Sequence, residues 1–306
     1  MDKCYILGIS CFYHDSAACL LRDGRVIAAA QEERFTRKKH DPDFPVNSIR
    51  WCLDDADISI KDICLVAFYG GPSQRFKRIF HKNFHYKGRF IFVGHSRSRA
   101  ASAFYPSPFN EAVILILGGS GNNEPVLFGI GKRNKIELTH YLEYPHSLGA
   151  LYSAFTYYAG FKINSGEYKL MGLAPYGKPK YKQLILDKIV CLNKDGSFKL
   201  NLRYFNFQNK HKLINRRFES LFGLPARVPE SEISRHYMDI AASAQAVAEE
   251  ILLKVSRYVY KRTGMNKLCL AGEVALNCVG NSKVLRNGPF DDIWIQPASS
   301  DAGAAL

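Results

Sequence analysis

Residues 4–33 read CYILGISCFYHDSAACLLRDGRVIAAAQEE, and their pattern points to the fold. An apolar run, CYILGIS (4–10), is followed by a polar turn at Tyr13-His14-Asp15-Ser16. A second run, AACLLRD, reaches Asp23-Gly24, a dipeptide suited to the positive φ angles of a tight hairpin, and VIAAAQEE returns as a third strand. The outline recurs at 112–142. AVILIL reads as a buried strand, GGSGNN as a glycine-rich turn, PVLFGIG as a second strand, KRNK as a turn and IELTHYLEY as a third strand.

Two copies of a strand, a tight turn and a hairpin outline a duplicated ribonuclease-H-like α/β fold, as in actin and the sugar kinases. In that fold each lobe aims one turn at the phosphates of a nucleotide held between them. Between the repeats, VNSIRWCLDDA after Pro45 reads as a helix. SLGALYSAFTYYAGF (147–161) reads as another, apolar nearly all round and therefore buried, with Tyr152, Phe155, Tyr157, Tyr158 and Phe161 as core. Ile240, Ala244, Val247, Ala248, Ile251, Val255 and Val259 recur at helical spacing within 232–262, and Gly264 follows as a stop. A short strand (268–271), a glycine turn and a helix from near Ala275 come next, then a strand in DDIWIQPA. Backbone amides at such a turn and helix start form a ready anion site. Residues 178–230 read as an insertion.

The chain has 306 residues, enough for one large domain or two lobes, and 47% of them are apolar. No run approaches the roughly 20 apolar residues of a membrane span, and MDKCYILGIS enters a strand pattern directly rather than forming a signal peptide. The eight cysteines are scattered without a CxxC pair, which predicts reduced thiols and a cytoplasmic location. The formal charge of +14 is concentrated in RFKRIFHKNFHYKGRF (75–90), in Arg37-Lys38-Lys39 and between Lys178 and Arg217. Basic residues interleaved with aromatics suit nucleic acid, but a basic surface that holds polyanionic small molecules such as ATP is the preferred reading.

GHSRSRAASAFYPSPF (94–109) almost spells a metal site. Two imidazoles four apart share one helical face and grip one ion, but here His95 is followed by Arg99, and a guanidinium offers no lone pair. The stretch resembles the HxxxHAASAF segment of the O-carbamoyltransferases of nodulation-factor and antibiotic biosynthesis. The same family is matched by GISCFYHDSAACLLRDGRVIAAAQEERFTRKKHD (8–41), SLGALYSAFTYYAGFKINSGEYKLMGLAPYG (147–177), HYMDIAASAQAV (236–247), CLAGEVALNCV (269–279) and GPFDDIWIQPASSDAGAAL (288–306). The resemblance implies an N-terminal domain over 1–306, with an actin-like fold similar to that of the enzymes that transfer threonylcarbamoyl to tRNA. Its lobes are expected near 1–145 and 146–306. It also implies that the sequence stops inside a turn of the second lobe, without the YrdC-like domain that makes carbamoyl adenylate from carbamoyl phosphate and ATP.

By that resemblance His14 contacts the carbamoyl adenylate as a polar or acid–base group, and Lys39 contacts phosphate or carbamoyl. Glu167, Lys169, Gly272 and Asn277 serve the nucleotide. His95 and Asp301 hold an iron-type divalent metal, with Arg99 where a second histidine is expected. The departures cluster with these positions: Gly118-Gly119 stands where Asp-Gly is usual, Gly272-Glu273 where Gly-Gly is usual, and the stretch between Phe76 and Phe92 is short. His81 and His85, a second HxxxH pair, read as surface residues. His14-Asp15 read by themselves form a turn capped by the Asp side chain. Arg99 invites a further reading, direct neutralisation of a phosphate without metal. The implied reaction passes a carbamoyl group to a hydroxyl of a small-molecule or sugar acceptor, weakly in this chain alone. A separate YrdC-like chain is a candidate partner. The alternative is a non-catalytic nucleotide-binding or interaction module, or a vestigial fragment; membrane and nucleic-acid partners are not expected.

Overall fold

The computed structural model describes residues 3–118, 126–143, 145–209 and 212–306. The chain forms two compact units, Met1–Pro108 with Ile295–Leu306, and Phe109–Trp294. The division falls after Pro108 rather than near 145. The second set of hairpin strands pairs with a strand from 267–271, so it belongs wholly to the second unit.

The first unit is built on a five-stranded sheet of order β3-β2-β1-β4-β5: β1 (Tyr5–Ser10), β2 (Ala17–Arg22), β3 (Arg25–Gln31), β4 (Ile63–Tyr69) and β5 (Arg89–Val93). β1 to β3 form the antiparallel meander expected from 4–33, and β4 and β5 add in parallel to β1. Asp23 and Gly24 both take positive φ, 52° and 80°, as a tight hairpin of that hand requires. β1 is apolar along its length because both its faces are covered. A short helix α1 (Glu33–Thr36) precedes α2 (Val46–Asp55), which buries Ser48, Ile49, Cys52 and Leu53 at helical spacing. α3 (Gln74–Phe84) turns Phe76 and Phe80 into the core and leaves Arg75, Arg78 and Lys82 exposed. Phe76 stacks on Phe68 with ring centroids 4.1 Å apart. The basic–aromatic stretch 75–90 is thus an amphipathic segment whose rings Phe76, Phe80 and Tyr86 face inward, away from any stacking ligand. His81 lies exposed on α3, and His85 ends that helix. α4 (His95–Phe104) follows β5, and the last residues, 301–305, form a 3-10 turn against β1. Gly8 makes that approach possible: a Cβ there would meet the Ala305 carbonyl oxygen at 2.0 Å.

The second unit repeats the strand order as β8-β7-β6-β11-β12, from β6 (Glu111–Leu117), β7 (Val126–Lys132), β8 (Lys135–Leu142), β11 (Lys267–Ala271) and β12 (Asp292–Ile295). β6, β7 and β8 are antiparallel neighbours, and β11 runs parallel to β6, as β4 does to β1. This match of two sheets, strand for strand, is the duplicated ribonuclease-H-like fold. Of the expected GGSGNN turn, residues 119–123 lie outside the described residues. α5 (Leu148–Tyr158) buries all but one of its residues, Tyr157 being half-exposed. α6 (Glu167–Leu173) and α7 (Lys182–Lys188) lead to a two-stranded hairpin, β9 (Val190–Leu192) and β10 (Phe198–Leu200), and then to α8 (Arg216–Phe222). The segment 178–230 packs through Phe218 and Phe222 on Phe155 and Tyr158. α9 (Arg235–Thr263) ends at Gly264 in the left-handed conformation, as its position after the periodic run requires. α10 (Cys278–Asn287) follows β11 through a 3-10 turn at 273–276, so the helix begins slightly later than Ala275.

Candidate functional site

The β1–β2 turn of the first unit carries His14 and Asp15. Asp15 takes a positive φ of 54°, a conformation that short polar side chains tolerate. Its carboxylate does not cap the local backbone as an Asx turn would. Instead it holds two imidazoles: Oδ2 meets His14 Nδ1 at 3.1 Å and Oδ1 meets His40 Nδ1 at 2.8 Å. Burial by itself would raise the Asp15 carboxyl, but the hydrogen bonds and charges of His14 and His40 outweigh it and hold it below the ordinary carboxylate range. The His40 backbone N–H donates to Glu33, so Asp15, Glu33 and His40 bring one ligand atom each within 4.8 Å of one another.

From the other side of its ring, His14 Nε2 approaches Asp301 Oδ2 at 3.1 Å, without the alignment of a hydrogen bond. Asp301 opens the 301–305 turn and is 1% exposed; Arg99, in the second turn of α4, is 3% exposed. The Arg99 guanidinium donates to Asp301 Oδ1, and the Tyr69 hydroxyl at the end of β4 donates to the same oxygen at 2.9 Å. Burial pushes the Tyr69 phenol far above its ordinary range, which keeps it a donor. The Tyr69 ring packs on His95 at 4.3 Å between centroids, and His95, the first residue of α4, is exposed. His14, Tyr69, Arg99 and Asp301 therefore form one contiguous group, with His95 against its edge.

An iron-type metal does not fit this donor set. Both oxygens of Asp301 are in contact with protein groups, and position 99 supplies a cation instead of a lone pair. Of the ligand set that the resemblance implies, that leaves His95 and Asp301, short of the three protein ligands usual for a catalytic metal. Lys39 is exposed on the turn after α1, next to His40.

In the second unit, Gly272 takes φ +91° where β11 ends, and a Cβ there would meet the Leu117 carbonyl oxygen at 2.2 Å. Glycine is required for this close backbone approach. Asn277 caps α10 by accepting from the Gly280 N–H at 2.9 Å, and its amide exchanges hydrogen bonds with Gln245, which also accepts from the Tyr152 hydroxyl at 2.8 Å. Glu167 accepts from the Ser153 hydroxyl and from the Asn164 and Gly166 amides, which fastens the loop before α6. Lys169 is exposed on α6. Gly118 accepts a hydrogen bond from Ser147, the N-cap of α5, and Gly119 lies outside the described residues.

Sequence reasoning missed Tyr69 and the bridging role of Asp15. Tyr69 sits in AFYGG, which carries no motif, and Asp15 meets a histidine 25 residues away. The only available signal was the accumulation of polar residues in the turn His14-Asp15-Ser16 between two apolar strands.

Fold and site together define a duplicated actin-like α/β protein whose first unit carries a part-buried His–Asp–Arg cluster at its strand ends. A family model described as Carbamoyltransferase N-terminus matches residues 5–90 and 75–306, and the chain belongs to that family. It is 46% identical over 342 aligned residues to sll1178 of Synechocystis sp., covering 99% of this chain and 56% of that protein. It is 33% identical over 321 residues to the nodulation protein NolNO of Sinorhizobium fredii, covering 96% of this chain and 45% of that one. The chain thus spans about half the length of the curated relatives it matches. Solved structures similar to it include component A of the (R)-2-hydroxyglutaryl-CoA dehydratase of Acidaminococcus fermentans, at 14% identity and TM-score 0.48, covering 99% of this chain and 95% of that one. HypF of T. kodakarensis matches at 12% identity and TM-score 0.49, covering 99% and 46%. At that level of likeness the fold assignment rests on the two matching strand orders. Among the described residues no helix is long and apolar enough to cross a membrane.

Proposed function

We propose that this chain carries out the transfer half of an O-carbamoyltransferase reaction, moving a carbamoyl group from carbamoyl adenylate to a hydroxyl of a small-molecule or sugar acceptor. The observation that supports this most is the Asp15–His14 pair. With Nδ1 held by a carboxylate whose ionised form is favoured, the ring is oriented and Nε2 becomes the atom that exchanges a proton with the acceptor, at the cost of its contact with Asp301. In the step, the acceptor oxygen bonds to the carbamoyl carbon while the mixed-anhydride bond to phosphate breaks. AMP leaves, and the hydroxyl proton passes to His14. Lys39 would attract the phosphate as a point charge. Gly272, with Asn277, Glu167 and Lys169, would serve the nucleotide, and a YrdC-like domain or separate chain would supply the adenylate.

The test combines the chain with a YrdC-like domain, carbamoyl phosphate, ATP and a panel of amino sugars, with product read by mass spectrometry. Carbamoylated acceptor is expected, falling about 100-fold or more in His14→Ala, since a positioned base contributes about 10²–10⁴-fold. AMP formation with no carbamoylated acceptor in any combination would sink the proposal.

One observation favours the alternative, a non-catalytic nucleotide-binding or interaction module: Asn277 and Glu167 already spend their side chains on protein groups. Calorimetric titration with ATP separates the two when read with the transfer assay, because binding without transfer belongs to the module.

A further inference from the structure

Asp301 is a buried carboxylate with one dominant counter-charge, and that charge is a side chain. Arg99 reaches it from α4, and Tyr69 reaches the same oxygen from β4. The turn that Asp301 opens lies on β1 at Gly8, and its Ala302 and Ala305 pack on Ala17 and Cys19 of β2. α4 and β4 therefore meet at the carboxylate itself, while β1 and β2 pack against the turn that carries it. This is also where the family resemblance puts a divalent ion, between positions 95, 99 and 301.

We propose that Arg99 is a built-in replacement for that ion. Its guanidinium compensates Asp301, fastens the 301–305 turn to α4 and makes this position independent of divalent metal. The inference stands apart from carbamoyl transfer, since it concerns what holds Asp301. Three physical points carry it. A guanidinium cannot lose its proton to make room for a metal, as histidine can. A metal arriving beside it would place two cations on one carboxylate that is already hydrogen-bonded. The charge balance also changes. A dication on one carboxylate leaves one net positive charge, whereas a guanidinium on the same carboxylate leaves none, so an anionic ligand meets a weaker field here.

The test is Mn²⁺ titration of the full-length chain followed by EPR, with elemental analysis and thermal melts in EDTA or Mn²⁺. Wild type is expected to show no Mn²⁺ uptake and no gain in melting temperature that Asp301→Asn removes; any uptake at Asp15, Glu33 and His40 would survive that substitution. Arg99→His restores the HxxxH pair beside Asp301. It is expected to take up Mn²⁺ stoichiometrically, to gain melting temperature with it, and to lose both effects when Asp301→Asn is added. Arg99→Lys keeps a cation and is expected to stay metal-free. Stoichiometric Mn²⁺ uptake by wild type, abolished by Asp301→Asn, overturns the proposal. So does an Arg99→His chain that is folded by circular dichroism yet binds no metal. If Arg99→His does not fold, the wild-type and Arg99→Lys titrations decide the matter alone.

Discussion

The first unit gathers His14, Asp15, Arg99 and Asp301 around the turns that end its sheet, while the second unit closes α5, α9 and α10 with Tyr152, Gln245 and Asn277. Their sheets share one strand order. The shared scaffold therefore leaves the polar interior open to choice. The amide–hydroxyl network of the second unit, which Gln245 extends to Glu249, costs little once each donor and acceptor is matched, and loss of a member leaves an unpaired dipole rather than a bare buried charge. A buried ion pair is costly to form and more costly to break, because the survivor is left as an uncompensated charge. The unit with the charges is the one expected to be chemically active and sensitive to substitution.

The largest expected effect comes from breaking the charged side of this contrast. Arg99→Met leaves Asp301 buried without its cation and should cost about 3–5 kcal/mol, read by urea unfolding of the full chain. A loss below about 1 kcal/mol would mean that Tyr69 and His14 suffice to hold Asp301. Next, Gly272→Ala tests whether the second unit depends on backbone approach as the first does at Gly8. The added Cβ drives into the Leu117 carbonyl at an unfavourable φ and should cost about 2–4 kcal/mol. An unchanged urea midpoint would show that the turn relaxes freely.

The second unit also buries charges, Arg227 and Asp239, and Asp239 is the one that tests the comparison. It accepts from the Lys178 N–H at 2.7 Å and pairs with Lys180 at 2.7 Å and Arg235 at 3.5 Å. Burial opposes its ionisation, but these partners outweigh it and hold the carboxyl below the ordinary range. A depressed folded-state pKa contributes stability that is present above the unfolded value and lost as pH falls through the folded one. Asp239→Asn should therefore cost about 1–3 kcal/mol at neutral pH, and the gap from wild type should close as pH falls below about 4. A gap that stays constant with pH would assign the effect to packing. Asn277→Ala, the smallest, removes an N-cap from a neutral network and should cost about 1 kcal/mol, seen as a small drop in melting temperature. A cost rivalling that of Arg99→Met would erase the distinction between the units.

Much of the fold was legible. Asp23-Gly24 marks its hairpin, the 3-4-7 spacing from Ile240 to Val259 marks α9, and the apolar runs at 4–10 and 112–117 mark the strands around which the sheets pair. The candidate site was legible residue by residue rather than as an arrangement. His14 and Asp301 were singled out, yet their proximity was not, nor that Asn277 and Glu167 serve as a cap and a loop fastener. A side chain such as Tyr69, alone at the end of a strand, leaves no periodic trace.

The amino-acid order by itself determined the hairpin strands, the long helix, the glycines that mark a hairpin at 24 and a helix stop at 264, and the fact that position 99 cannot ligate a metal. Each of these follows from dihedral preference, hydrophobic period or the chemistry of one side chain, all of which act over a few residues. The tertiary structure decided that Arg99 would meet Asp301, 202 positions away, that Tyr69 would join them, and that Asp15 would bridge two histidines. Those contacts arise only when parallel strand pairing and the turn at 301–305 bring distant segments together. At that point burial makes a charge either matched or costly, and in the first unit Arg99 is the match for Asp301.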